Sequence, residues 1–142
     1  MTVRAALVRL SKWKVDDIRR KLLSLASAKA AAVRESAQLE TDVMREQELA
    51  ARTPGGEVLY PGYAQGVIAK RQLLSRQMDE LDDLMDQVRA QVNAAYRELK
   101  KYEISEEQHQ SRVRLDKTRR AQRDLDEISS TRTVLTRRGG VS

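Results

Sequence analysis

Apolar residues recur every seven positions through the second half of the chain, at Val67, Leu74, Leu81, Val88, Ala95 and Tyr102. A companion row follows four residues after four of them, at Met78, Met85, Val92 and Leu99. A 4-then-3 spacing held this long predicts one extended helix packed along a narrow seam. The same pattern precedes it: Ile18, Leu25, Ala32 and Leu39 form one row, and Leu22, Lys29, Ser36 and Val43 the other. Upstream, Leu7, Leu10 and Trp13 continue an apolar face at slightly shifted spacing. The run Ala26-Ser-Ala-Lys-Ala-Ala-Ala32 favours helix and a close approach between helices.

Both prolines and all six glycines fall within 54–66 and 139–140, so every strong helix breaker sits in two places. Thr53-Pro-Gly-Gly ends the first helix near Arg52, and the segment 53–62 reads as a reversal loop. The expectation is an all-α fold: two long helices forming an antiparallel coiled-coil hairpin, the second longer and overhanging at the open end. Its single domain covers 1–142, with helix 1 over about 3–52, helix 2 over about 63–136 and a flexible tail at 137–142. At 1.5 Å per residue the helices are roughly 75 Å and 105 Å long. A reversal centred near Glu57 makes facing positions sum to about 115, which sets Tyr102 opposite Trp13. Past that point the rows read Glu106, His109, Val113, Asp116, Arg120 and Arg123, so residues from about 113 onward have no intramolecular partner and a polar surface.

Composition narrows the function. The chain has no Phe and one Trp, and 34% of its residues are charged, which suits a coiled coil rather than a globule with a pocket. Charge is polarised: residues 1–34 carry nine basic and two acidic side chains, and 110–142 nine and four. Antiparallel folding would bring these two basic windows together at the open end, a property that concerns partners rather than fold. No cysteine is present, which removes disulfides and thiolate metal sites and fits a reducing compartment. The N-terminus scatters Arg4, Arg9, Lys12 and Lys14 among apolar residues, so it lacks the uninterrupted apolar core of a secretory signal. No run reaches the roughly 18 apolar residues of a membrane span.

No catalytic constellation is visible, and no enzyme activity or cofactor is expected. His109 is the single histidine, an ordinary solvated side chain by its neighbours Glu106, Glu107, Gln108 and Gln110. Thr53-Pro-Gly-Gly-Glu-Val lacks the lysine of a nucleotide-binding loop. Asp79, Glu80, Asp82, Asp83 and Asp86 spread around a helix instead of converging as a cation loop. The run Arg112–Arg123 could bind phosphate backbones, but interspersed acids and the lack of an aromatic for base stacking argue against nucleic acid. Val58-Leu-Tyr-Pro-Gly-Tyr63 at the turn reads either as a hydrophobic clasp or as a recognition tip.

In its order of features the chain resembles the FliJ family of flagellar export proteins. The likeness extends over nearly the whole length: a basic first helix with Leu7-Val-Arg-Leu-Ser-Lys12, a Gly/Pro break near one third, Tyr63 early in the second helix, and a basic run leading to Asp126-Glu127 and Arg132. The resemblance implies a stalk similar to the γ-subunit coiled coil of rotary ATPases, a non-enzymatic part of type III protein export. Its partners would be the hexameric flagellar export ATPase, a membrane protein of the export gate and export chaperones, with a monomeric hairpin held in the cytoplasm at the inner membrane. By that likeness Arg4, Leu7, Leu10, Trp13, Arg119, Arg120 and Arg123 would face the ATPase, and Tyr60, Tyr63, Val67, Lys70 and Leu74 the gate. Gly66 departs from the bulky apolar residue that relatives often carry, which weakens the transfer of gate contacts. The rival readings are the related stalk protein of virulence type III secretion, a basic nucleic-acid-binding coiled coil, and an oligomer paired through residues from 113 onward.

Overall fold

The computed structural model describes residues 2–139. Two helices, α1 (Val3–Arg52) and α2 (Gly56–Gly139), pack on each other as an all-α hairpin, with no strand among the described residues. Thr2 starts α1 as its N-cap: its hydroxyl oxygen accepts the amide of Ala5 at 3.1 Å, and its carbonyl accepts that of Ala6 at 3.0 Å.

The turn is much tighter than the sequence suggests. α2 begins at Gly56 rather than near residue 63, so three residues connect the helices instead of about ten. The Gly56 amide donates to the Thr53 carbonyl at 3.1 Å, and Gly55, third in this four-residue turn, has φ +79°. Pro54 in second position and a glycine at positive φ in third are the requirements of a type II β-turn. Thr53 also closes α1, its hydroxyl donating to the Leu49 carbonyl at 2.7 Å. Pro61, which reads as a breaker, lies inside α2 as its sixth residue. Its missing N–H would have met the carbonyl of Glu57, an exposed residue, so water can take that donor's place. At the far end 137–139 are helical rather than a tail, and 140–142 lie outside the described residues.

Gly56 is required for a second reason. A Cβ there would sit 2.6 Å from the Ala50 carbonyl oxygen and 2.9 Å from its Cα, both backbone atoms of α1. Gly66, in contrast, is helical with open space around it. Gly56→Ala should therefore destabilise the hairpin by about 1–3 kcal/mol. Gly66→Ala should stabilise it by about 0.5–1 kcal/mol. Urea midpoints of the two variants check the opposite signs.

By contact the chain divides into two units, Ser11–Arg97 and a second made of residues 1–10 with 98–142. In the first unit the seam lies where the heptads put it. Ile18, Ala32, Leu39, Val43, Val67, Leu74, Met85 and Ala95 are buried, and Leu22, Leu25, Lys29, Ser36, Met78, Leu81, Val88 and Val92 are half-buried. Leu39, Val43, Val67 and Leu74 form the tightest cluster, with Tyr63 packed against it. Upstream of Ile18 the buried face continues through Val15 and Ser11, keeping strict 4–3 steps. It therefore misses Leu10 and Trp13, which the sequence places on that face and which are 59% and 63% exposed.

Ion pairs flank this seam. Arg71 grips Glu40 with two hydrogen bonds of 2.6 and 2.7 Å, and that bond, more than the charge alone, holds the Glu40 carboxyl below its ordinary pKa and raises that of Arg71. Lys29 meets Asp82 at 2.5 Å and Lys70 meets Glu35 at 3.4 Å. Arg19 lies over the Tyr96 ring, 4.8 Å from its centroid, and donates to its hydroxyl. Glu40–Arg71 and Lys29–Asp82 face each other about a centre between Gly55 and Gly56, whereas Arg19 and Tyr96 meet at the offset expected for a reversal near Glu57.

In the second unit Leu99 is buried, and Leu7, Tyr102, Glu106 and His109 are half-buried. Thr2 shares a groove with Glu106, His109, Val113 and Arg114, which places the start of α1 beside that stretch of α2. His109 is thus partly covered, not fully solvated. From Arg114 to Gly139 every residue is exposed, so α2 continues past the beginning of α1 for about 38 Å.

Candidate partner-binding surfaces

Two surfaces bear on the residues expected to meet partners: the turn tip in the first unit and the overhanging part of α2 in the second.

At the tip the type II turn aims the first residues of α2 outward. Val58 and Leu59 are 80% and 78% exposed. Tyr60 and Tyr63 are half-buried, with ring centroids 6.0 Å apart and planes tilted by 46°. Leu49, Ala50 and Glu46 complete an open groove with Leu59 and both tyrosines. The Tyr63 hydroxyl has a raised pKa, from desolvation first and then from the charges of Glu46 and Asp42. Arg52 in the last turn of α1 and Glu57 in the first turn of α2 each carry the sign that suits their helix end.

Of the residues assigned to a gate contact, Val67 and Leu74 are core, 6% and 2% exposed, and cannot present a surface while the hairpin is closed. The expectation of a gate-facing surface at these two positions is therefore wrong. Their heptad spacing, which marks them as apolar, is the reason they are hidden. Lys70 is engaged with Glu35 across the hairpin. Tyr60 and Tyr63 stand at the tip, beside the exposed pair Val58 and Leu59.

On the overhang, Arg119, Arg120 and Arg123 are exposed as expected. Arg112, Arg119 and Arg123 recur at i, i+7 and i+11 and so share one helix face. Arg4 is exposed, Leu7 half-buried and Leu10 exposed on α1 in the same unit. The start of α1 lies level with 106–114, so Arg119 begins about 9 Å further along α2 than the Val113 beside Thr2. The structure therefore separates these arginines along the axis from Arg4, Leu7 and Leu10 instead of gathering all of them into one grip. Trp13 is exposed and belongs to the other unit.

One feature of the overhang escapes the extended heptad rows. Leu125, Ile128 and Leu135 are 61%, 57% and 63% exposed and recur at i, i+3 and i+10, opposite the arginine face. They lie two residues before the positions 127, 130 and 137 that continue the register of Val67–Tyr102. Counting forward from that seam meets mostly polar residues, with Val113 and Val134 the exceptions, so a segment that looks polar is in fact amphipathic.

Among the described residues no three His, Cys, Asp or Glu side chains gather as a metal site. Asp82 and Asp86 of the acidic stretch are ion-paired to Lys29 and Arg89. No described helix is long and apolar enough to cross a membrane. Neither a family model, nor a curated protein, nor a solved structure matches the chain.

Proposed function

We propose that this chain is a non-enzymatic connector of the stalk type used in flagellar type III protein export. Its cationic overhang would engage a hexameric export ATPase and favour ring assembly, while its aromatic turn would engage a membrane-embedded gate component. The reading draws on the resemblance in feature order and on one observation above all. A helix carrying Arg112, Arg119 and Arg123 on one face continues past the end of its partner helix with every side chain exposed. Solvated arginines on a rigid element suit carboxylate-lined or carbonyl-lined surfaces and speed encounter with them. At the other surface Val58, Leu59 and Tyr60 offer aliphatic and aromatic contact area on a rigid turn. Association with the membrane would come through the gate partner. Coupling of the two surfaces would make the chain a transmitter between separate sites.

Immobilised chain should capture a hexamerising flagellar export ATPase in a salt-sensitive manner. Reversing Arg119, Arg120 and Arg123 to Glu should abolish that capture, whereas Val58→Ser with Leu59→Ser should leave it intact. Capture at full strength by the reversed variant would overturn the assignment of the cationic end.

A further inference from the structure

The overhang carries its own 4-then-3 row, Ala121, Leu125, Ile128, Arg132 and Leu135, with none of the other described residues packed on it. Two charged residues flank that row, Asp124 near one end and Arg138 near the other. Neither makes an ion pair or side-chain hydrogen bond among the described residues. We propose that this face is closed by the same face of a second copy of the chain, running antiparallel, in a reversible dimer.

The register follows from the residues. When Leu125 faces Leu135 of the second copy, Ile128 faces the aliphatic stem of Arg132, and the two-fold relation repeats both layers. At that offset Asp124 comes opposite Arg138 of the second copy, twice, once at each end of the paired segment. Ser129 and Thr131 then meet their own copies across the two-fold axis, which introduces no charge. Arg119 and Arg123 lie on the opposite face and stay in solvent, so they do not repel one another across the seam. A parallel in-register pair would instead stack Arg132 on Arg132 within the seam. Charge complementarity thus selects both the occupant and its direction. Each copy contributes only three large apolar side chains, so the dimer should dissociate on dilution.

This inference does not rest on the export reading, and the purified full chain alone tests it. Sedimentation velocity over a wide concentration range should show a monomer–dimer equilibrium. Leu125→Asp should hold the chain monomeric with its helicity retained by circular dichroism. Asp124→Arg should weaken the dimer about tenfold, and adding Arg138→Asp should restore it. Ser129→Cys should cross-link to its own copy under oxidation, and Arg138→Cys should not. The triple reversal of Arg119, Arg120 and Arg123 that tests ATPase docking should leave the dimer unchanged. A chain that stays monomeric at every concentration overturns the proposal. So does a dimer indifferent to Leu125→Asp, or one that cross-links at position 138 rather than 129.

Discussion

Leu74→Asp should abolish the cooperative unfolding of the hairpin at room temperature, or bring its midpoint down to the limit of detection. Leu74 is 2% exposed, the most enclosed side chain of the buried core, and it packs with Leu39, Val43 and Val67 under Tyr63. Removing it from that cluster forfeits about 1.5–3 kcal/mol of apolar burial. Enclosing a carboxylate without a partner costs several kcal/mol more. A domain's whole stability is about 5–15 kcal/mol, so one substitution consumes most of it. Leu74→Ala should be milder, about 2–5 kcal/mol, because it leaves a cavity but no charge. Leu73→Asp is the control: Leu73 is one residue away, 49% exposed, and should change stability little. Thermal melts followed by circular dichroism decide. A Leu74→Asp chain melting with the wild type would mean that the two helices do not depend on this seam.

That contrast between adjacent leucines is legible in the sequence itself, because a seam two positions wide in seven leaves a strong period. All eight row positions from Ile18 to Val43 and all ten from Val67 to Tyr102 are buried or half-buried, polar Lys29 and Ser36 included. Lys29 tolerates its place by reaching Asp82 with its ammonium while its stem lies along the seam. What the sequence hid were local exceptions to average rules. Pro61 signals a loop in general, yet near a helix start its defect falls on a solvent-facing carbonyl. Leu10 and Trp13 are apolar but sit beside the strict 4–3 path that passes through Ser11, so size misled where phase would have decided. The stripe of Leu125, Ile128 and Leu135 is missed by a count anchored upstream, because a two-residue shift rotates a row by about 200°, to the other side of the helix. The candidate site was less legible than the fold. Periodicity put Val67 and Leu74 in the seam, where they are buried; it was the family resemblance that assigned them to a surface.

Truncation after Arg114 should separate the hairpin from its overhang. The cut removes 25 of the 134 helical residues, 115–139, and so about a fifth of the molar ellipticity. The midpoint of thermal unfolding should barely move, because residues 115–139 are all exposed. A helix without tertiary packing contributes little beyond its own propensity. It stays helical here because it propagates from a turn already fixed by packing, which spares it the cost of nucleation. In the intact chain, diluted until it is monomeric, the amides of 115–139 should accordingly exchange hydrogen orders of magnitude faster than those around Leu74 and Met85. Binding then gives an answer that folding cannot. If the arginine face serves the export ATPase, the truncated chain should lose association altogether while remaining a cooperative hairpin. A truncated chain that melts far below the intact one would show that the overhang is packed in solution. One that melts normally and still binds the ATPase would move the docking surface back onto the hairpin.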